Sequence, residues 1–153
     1  MKFSESNGAN VWTKFYDKDE WICITTNSYI KTNGELTMGI GIARDAVNRF
    51  PGIAYGLGQV VKKCGNIPLV NTKYRLITLP TKNHWKDDAD LLLIEESLKT
   101  LVQIVTKLGL QKIYLPRPGC GNGNLDWEAQ VKPLCGQYLD HRFVVCSSGR
   151  KLD

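Results

Sequence analysis

The sequence predicts an α/β domain with a largely parallel sheet covered by helices on both faces. Short β-prone runs alternate along the chain with segments of helical periodicity, the order that builds parallel sheets. Length and balance agree. The chain has 153 residues, 42% hydrophobic and 23% charged, which suits one globular domain over residues 1–153. The third observation is positional: the unusual glycine-rich and polar segments begin where the strands end.

The elements follow in chain order. Trp21-Ile22-Cys23-Ile24-Thr25-Thr26 reads as a buried strand ended by Asn27. Gly39 to Phe50 reads as a helix that opens in a glycine-rich turn. Ala43, Ala46, Val47 and Phe50 form its apolar stripe, and Pro51 stops it. Tyr74 to Leu79 is a second strand, closed by Pro80. Leu91, Ile94, Leu98, Leu101, Val105 and Leu108 then recur at helical spacing. Asp87, Asp88 and Asp90 favour the N-terminal end of that helix, and Gly109 is its stop. Lys112 to Leu115 is a strand that runs into Pro116. A helix from about Asp126, disturbed by Pro133, and a last strand over Phe143 to Cys146 complete the pattern.

Several function classes are disfavoured. No apolar run is long enough to cross a bilayer; Leu91 to Leu110 is broken by Glu95, Glu96, Lys99 and Lys107. The segment from Met1 to Glu5 lacks the apolar core of a signal peptide. The expectation is a cytoplasmic monomer without membrane attachment. Five cysteines and no CxxC pair suggest neither disulfides nor zinc. Apart from Cys120, the cysteines are expected to pack as small apolar residues. No His, Cys and Asp cluster has metal spacing, so neither metal nor cofactor is expected. The net charge of +5 favours anionic partners but is scattered, so it reads as a solubility charge.

Two loops carry the chemistry. In Asn33 to Ala43, Gly39-Ile40-Gly41 precedes a helix, where backbone N–H groups can crowd around an anion because no side chain blocks the approach. In Pro116 to Trp127, Gly119, Gly121 and Gly123 alternate with Cys120, Asn122 and Asn124 between a strand and a helix. Two such nests on one sheet edge suit a diphosphate. Neither a P-loop nor a dinucleotide GxGxxG is present. The strand ends at Thr26-Asn27, Pro80-Thr81-Lys82 and Pro116 stand where parallel sheets bind ligands.

Together the two loops resemble the signature of the macro domains, in the correct order and over nearly the whole chain. The resemblance implies a three-layer α/β/α sandwich with a mixed, largely parallel sheet and a cleft for ADP-ribose. Met38, Gly39, Ile40, Gly41, Ile42 and Ala43 would bind the diphosphate and distal ribose. Gly119, Cys120, Gly121, Asn122, Gly123 and Asn124, with Pro118 before them, would close over the other side. Asn33 matches the family asparagine on the distal ribose, and Asn27 joins the ligand-binding set.

Leu79-Pro80-Thr81-Lys82-Asn83-His84-Trp85 resembles macro domains that serve as antitoxins to DNA-ADP-ribosylating toxins. Those remove ADP-ribose from thymidine; a related branch removes it from glutamate. In both, a lysine acts at the C1″ carbon, and Lys82 matches it. Gly123 replaces the second-loop aspartate of the glutamate branch, which favours the antitoxin-like branch. Asn10 stands near the place of the adenine-reading aspartate. Asp126 reads as a helix cap, Cys120 as a backbone contributor, His84 and His141 as structural or exposed, and Trp85 as packing or stacking.

The resulting expectation is an ADP-ribosyl glycohydrolase acting on an ADP-ribosylated macromolecule, DNA or protein. The alternatives are a non-catalytic ADP-ribose reader, a hydrolase of ADP-ribose 1″-phosphate or O-acetyl-ADP-ribose, and a nucleic-acid-binding module.

Overall fold

A computed structural model describes residues 2–148; Met1, in the N-terminal segment read above, lies outside them. Six strands form one mixed sheet in the order β1-β6-β5-β2-β4-β3. They are β1 (Ser4–Asn7), β2 (Ile22–Thr26), β3 (Val70–Asn71), β4 (Leu76–Pro80), β5 (Ile113–Pro116) and β6 (Phe143–Ser147). All pairings are parallel except that of β3, which runs antiparallel to β4 at the edge. The predicted sandwich is therefore present: the sheet is mixed and mostly parallel.

The inner strands are apolar on both faces, and alternation divides their side chains between two cores. Ile22, Ile24, Leu76, Tyr114 and Val144 point to one face, Cys23, Ile77, Ile113, Leu115, Phe143 and Val145 to the other. The first face packs against α1 (Val11–Lys14), α2 (Ile42–Arg49) and α3 (Ile53–Cys64). The second packs against α4 (Leu91–Leu108) and α5 (Lys132–Tyr138). Ile94, Leu98, Leu101 and Val105 of α4 are fully buried, each contributing roughly 1.5–3 kcal/mol of apolar burial. The caps of α4 are those the sequence marked. Asp90 accepts from the amides of Leu92 and Leu93, and Gly109 ends the helix with φ of 69°.

Most expected elements appear with ends moved by one or two residues. Tyr74 and Arg75 lie in a turn rather than in β4, because Arg75 takes a φ of 55° that breaks the extended run. The helix expected from Asp126 is a π-helical turn, Trp127–Val131, followed by α5. Asp126 caps it by accepting from the Ala129 amide. Pro133 falls in the first turn of α5, where its missing N–H is not needed. Cys64 is exposed at the end of α3, contrary to the expectation that it packs inside, whereas Cys23, Cys135 and Cys146 are buried. No helix among the described residues is long and apolar enough to cross a membrane.

Helix α3 has a further task. Its inner face, Ile53, Ala54, Leu57, Gly58 and Val61, holds the loop between β2 and α2. The amide of Leu36 donates to Ala54 O at 2.9 Å. A Cβ on Gly58 would collide with the carbonyl oxygen of Gly34 and come within 2.8 Å of the Leu36 nitrogen. The helix can pack this closely only because Gly58 has no side chain. Gly58→Ala is therefore expected to destabilise the domain by about 1–3 kcal/mol. Urea unfolding of the two proteins checks this; an unchanged midpoint would show that the contact is not tight.

Candidate functional site

The carboxyl ends of β2, β4 and β5 open into one cleft of about 600 Å³ including its open mouth. Its floor is Thr25, Thr26, Thr81 and Pro116. One wall is Gly39, Ile40, Gly41, Ile42 and Ala43; the other is Gly119, Gly121, Asn122 and Gly123. Asn27, Lys82, Trp85 and Arg117 complete the lining. The charged residues of this lining are Lys82 and Arg117, both cationic.

The first wall is a helix N-terminus without a side-chain cap. Gly41 stands at the N-cap of α2, and no side chain accepts from its first amides. Those N–H groups and the helix dipole therefore remain available to an anion. The acid of the first turn, Asp45, accepts instead from Trp12 Nε1 at 3.2 Å. Arg44 braces the loop by donating to Met38 O at 3.3 Å. Asn27, buried at the end of β2, donates to Thr37 O and accepts from the Tyr29 amide. Its side chain fixes the path by which the chain leaves the sheet.

The second wall is held from behind. Gly123 O accepts from Ala89 N at 2.9 Å, Gly119 O accepts from Leu125 N at 3.0 Å, and Asn124 Nδ2 donates to Asp88 at 2.8 Å. Gly119 adopts φ of 73°. A Cβ on Gly123 would lie 2.5 Å from Gly119 O and 2.7 Å from Ala89 Cβ. No side chain fits there while the loop keeps this shape, so an aspartate at this position is excluded by packing.

Lys82 is 8% exposed. Its Nζ donates to Trp85 O and to Asn122 O, each at 3.3 Å. Burial lowers its pKa from the ordinary 10.5, with the nearby Asp88 and Asp87 carboxylates opposing the shift. Asn66 Nδ2 holds the backbone at this point by donating to Lys82 O at 2.9 Å. Arg117 stacks its guanidinium 5.0 Å from the Trp127 ring and reaches Glu5 at 3.7 Å. Cys120 is no activated thiol: burial pushes its pKa up to about 12.

Several residues expected at the site stand elsewhere. Asn33 is exposed at the tip of a small hairpin closed by an Ile30–Leu36 bridge, with its Oδ1 accepting from the Glu35 amide. The Asn33-Gly34 pair is a turn sequence, with Gly34 at φ of 88°; it carries the side chain away from the cleft lining. Met38 is buried in the core beneath the first loop. Pro118, Cys120 and Asn124 support the second loop without lining the cleft. Asn10 lines a neighbouring hollow with Ala9, Val11, Ile42, Pro116, Cys146 and Ser148. Its Oδ1 caps α1 by accepting from the Trp12 amide at 2.9 Å. Thr25 was not singled out from the sequence, since a threonine inside a strand looks structural.

A mixed, mostly parallel α/β/α sandwich with a glycine-walled cleft across its strand ends has the macro-domain fold. Over 95% of its length the chain superposes on 98% of the Mycobacterium tuberculosis DarG macrodomain, with a TM-score of 0.73 and 24% identity. The Thermus aquaticus DarG macrodomain gives the same score and identity over 95% of this chain and 97% of that one. Thermosipho africanus DarTG in complex with ADP-ribose matches over 94% of this chain and 41% of that one, with a TM-score of 0.74 and 22% identity. In sequence, the chain is similar to proteins named DNA ADP-ribosyl glycohydrolase. That of Thermus aquaticus is 40% identical over 73 residues, 48% of this chain and 20% of the relative. That of Mycobacterium tuberculosis is 31% identical over 100 residues, 60% of this chain and 28% of the relative. The chain thus spans less than a third of the length of these curated relatives. No family model matches the sequence.

The lowered pKa of Lys82 predicts a pH-dependent contribution to stability. Between its lowered folded-state pKa and 10.5, the unfolded chain binds more protons than the folded one. Stability relative to a Lys82→Met variant should therefore rise with pH across that window. Paired unfolding curves at several pH values check it; a difference independent of pH would mean the pKa is not lowered.

Proposed function

We propose that the domain binds ADP-ribose and hydrolyses its glycosidic bond to a DNA base. One observation carries this reading: the cleft combines an uncapped helix N-terminus, a facing glycine loop and the guanidinium of Arg117 in one lining. That is an environment for a diphosphate. The diphosphate spans the two loops, the distal ribose reaches toward Lys82, and the adenine enters the hollow that shares Ile42 and Pro116 with the cleft. With Asn10 Oδ1 occupied as a cap, Asn10 offers adenine its Nδ2 donor. The names of the sequence relatives supply the acceptor class, DNA. The domain works as a monomer in the cytoplasm, with no metal or cofactor in the reaction.

Lys82 acts at C1″ as a neutral amine. Such an amine has two N–H groups and one lone pair. The carbonyls of Trp85 and Asn122 accept the two N–H groups, so the lone pair is left for the electrophile. Burial favours the neutral form. The amine bonds to C1″, and the bond from C1″ to the acceptor breaks. The acceptor leaves with the electron pair and takes the proton given up by the Lys82 nitrogen as it bonds to C1″. Water then displaces the amine, giving ADP-ribose and the free base.

Incubation with thymidine-ADP-ribosylated DNA should release ADP-ribose. Lys82→Ala should lower the rate on the order of a thousandfold or more, as loss of a covalent nucleophile does, while free ADP-ribose still binds. The wild-type kcat/KM should rise with pH and level off above the lowered pKa of Lys82. Binding without release would leave a reader. Release that survives loss of Lys82 would point to hydrolysis by an activated water.

A further inference from the structure

Two large aromatic side chains are left open to solvent beside the reacting end of the cleft. Trp85 is 45% exposed and Tyr29 43% exposed. His84 lies between them. The Tyr29 and His84 ring centroids are 4.5 Å apart, and those of His84 and Trp85 are 5.6 Å apart at an interplanar angle of 31°. Trp85 lines the cleft, and its carbonyl is the one that accepts from Lys82. Tyr29 is not part of the cleft lining. The row therefore starts at the lysine and leads outward.

The row is rigid. The amide and the hydroxyl of Ser28 both donate to Asn83 O, at 3.2 and 2.8 Å. This ties the segment bearing Tyr29 to the one bearing His84 and Trp85. Asn66 Nδ2 donates both to Lys82 O and to Asn83 Oδ1. His84 Nδ1 accepts from the Lys86 amide at 3.1 Å, which sets the angle of the imidazole. The Lys86 ammonium lies 5.5 Å from the Trp85 ring centroid and adds a positive charge to the rim. Exposed rings held open in series are not explained by core packing.

We infer that Tyr29, His84 and Trp85 form a stacking platform for the bases of a single-stranded DNA acceptor, with Lys86 facing its phosphates. This rests on the reading of the cleft as an ADP-ribosyl-DNA site. Unstacked bases present flat faces to aromatic rings whatever their sequence, and nearby cations follow the backbone. A duplex keeps those faces occupied by neighbouring bases. A peptide acceptor offers an acidic side chain and has no use for a row of rings.

The test uses Lys82→Ala protein, which holds the substrate without turning it over. Four ligands are compared by titration: free ADP-ribose, a single-stranded decamer ADP-ribosylated on one thymidine, the same strand annealed to its complement, and a glutamate-ADP-ribosylated peptide. The modified single strand should bind roughly tenfold or more tightly than free ADP-ribose, the size expected of base stacking. Annealing should remove that excess, and the peptide should lack it. Adding Tyr29→Ala should remove most of the excess without changing the affinity for free ADP-ribose, while Tyr29→Phe should keep it. In the otherwise wild-type enzyme, Tyr29→Ala should raise KM for the modified strand and leave kcat in place.

The platform is refuted if the single strand binds no more tightly than ADP-ribose, if Tyr29→Ala weakens both ligands equally, or if the peptide shares the excess. If the excess and its dependence on Tyr29 appear but wild-type protein releases no ADP-ribose, the hydrolase reading fails and the platform stands. If free ADP-ribose does not bind at all, both fall together.

Discussion

The hydrogen bonds from Lys82 Nζ to the carbonyls of Trp85 and Asn122 are the constraint around which the cleft is arranged. They connect three pieces of chain: the end of β4, the turn after it, and the second glycine loop. Each piece reaches the meeting point for its own reason. The strand delivers Lys82 because the parallel sheet stops at Pro80. The loop delivers Asn122 because Gly119 and Gly123 let it fold back tightly on Ala89. Burial away from water makes the Lys82 ammonium costly to keep charged, while the two carbonyls fix where its nitrogen sits. Position thus comes from the two contacts and the lowered pKa from burial.

The positions that were legible in the sequence are those where a strand or helix repeats a pattern. β2, β4, β5, β6 and α4 are apolar at the required period, and Asn27, Pro80, Pro116, Asp90 and Gly109 mark ends of four of them. β1 left no such trace: Ser4, Glu5, Ser6 and Asn7 lie on an edge with little to bury. β3 has two residues and is created by its partner. α3 was passed over because Gly56 and Gly58 interrupt its stripe, although Gly58 is the residue that lets it pack.

The site was legible in the same uneven way. Lys82 follows a strand that ends in proline, so its location could be reasoned from topology. Both glycine loops were visible for a similar reason. The placement of Asn33 has a physical cause: Asn-Gly is a turn sequence before it is anything else, and here the turn takes the asparagine to the surface. Met38 and Cys120 sit among residues that touch the cleft, but loop curvature turns them inward. The direction of a side chain in an irregular loop depends on φ and ψ at each residue, which spacing alone does not report.

The edges of the sheet bear on how the domain tolerates neighbours. One edge strand has two residues, Val70 and Asn71, and the other four, Ser4 to Asn7, all polar. Open strand edges are templates for unwanted pairing with other chains. Here the stretch of unpaired backbone is too short to nucleate such growth. A module of this kind can therefore be crowded, repeated or fused within larger polypeptides without its sheets zipping together. What limits edge-to-edge pairing here is the shortness of those borders.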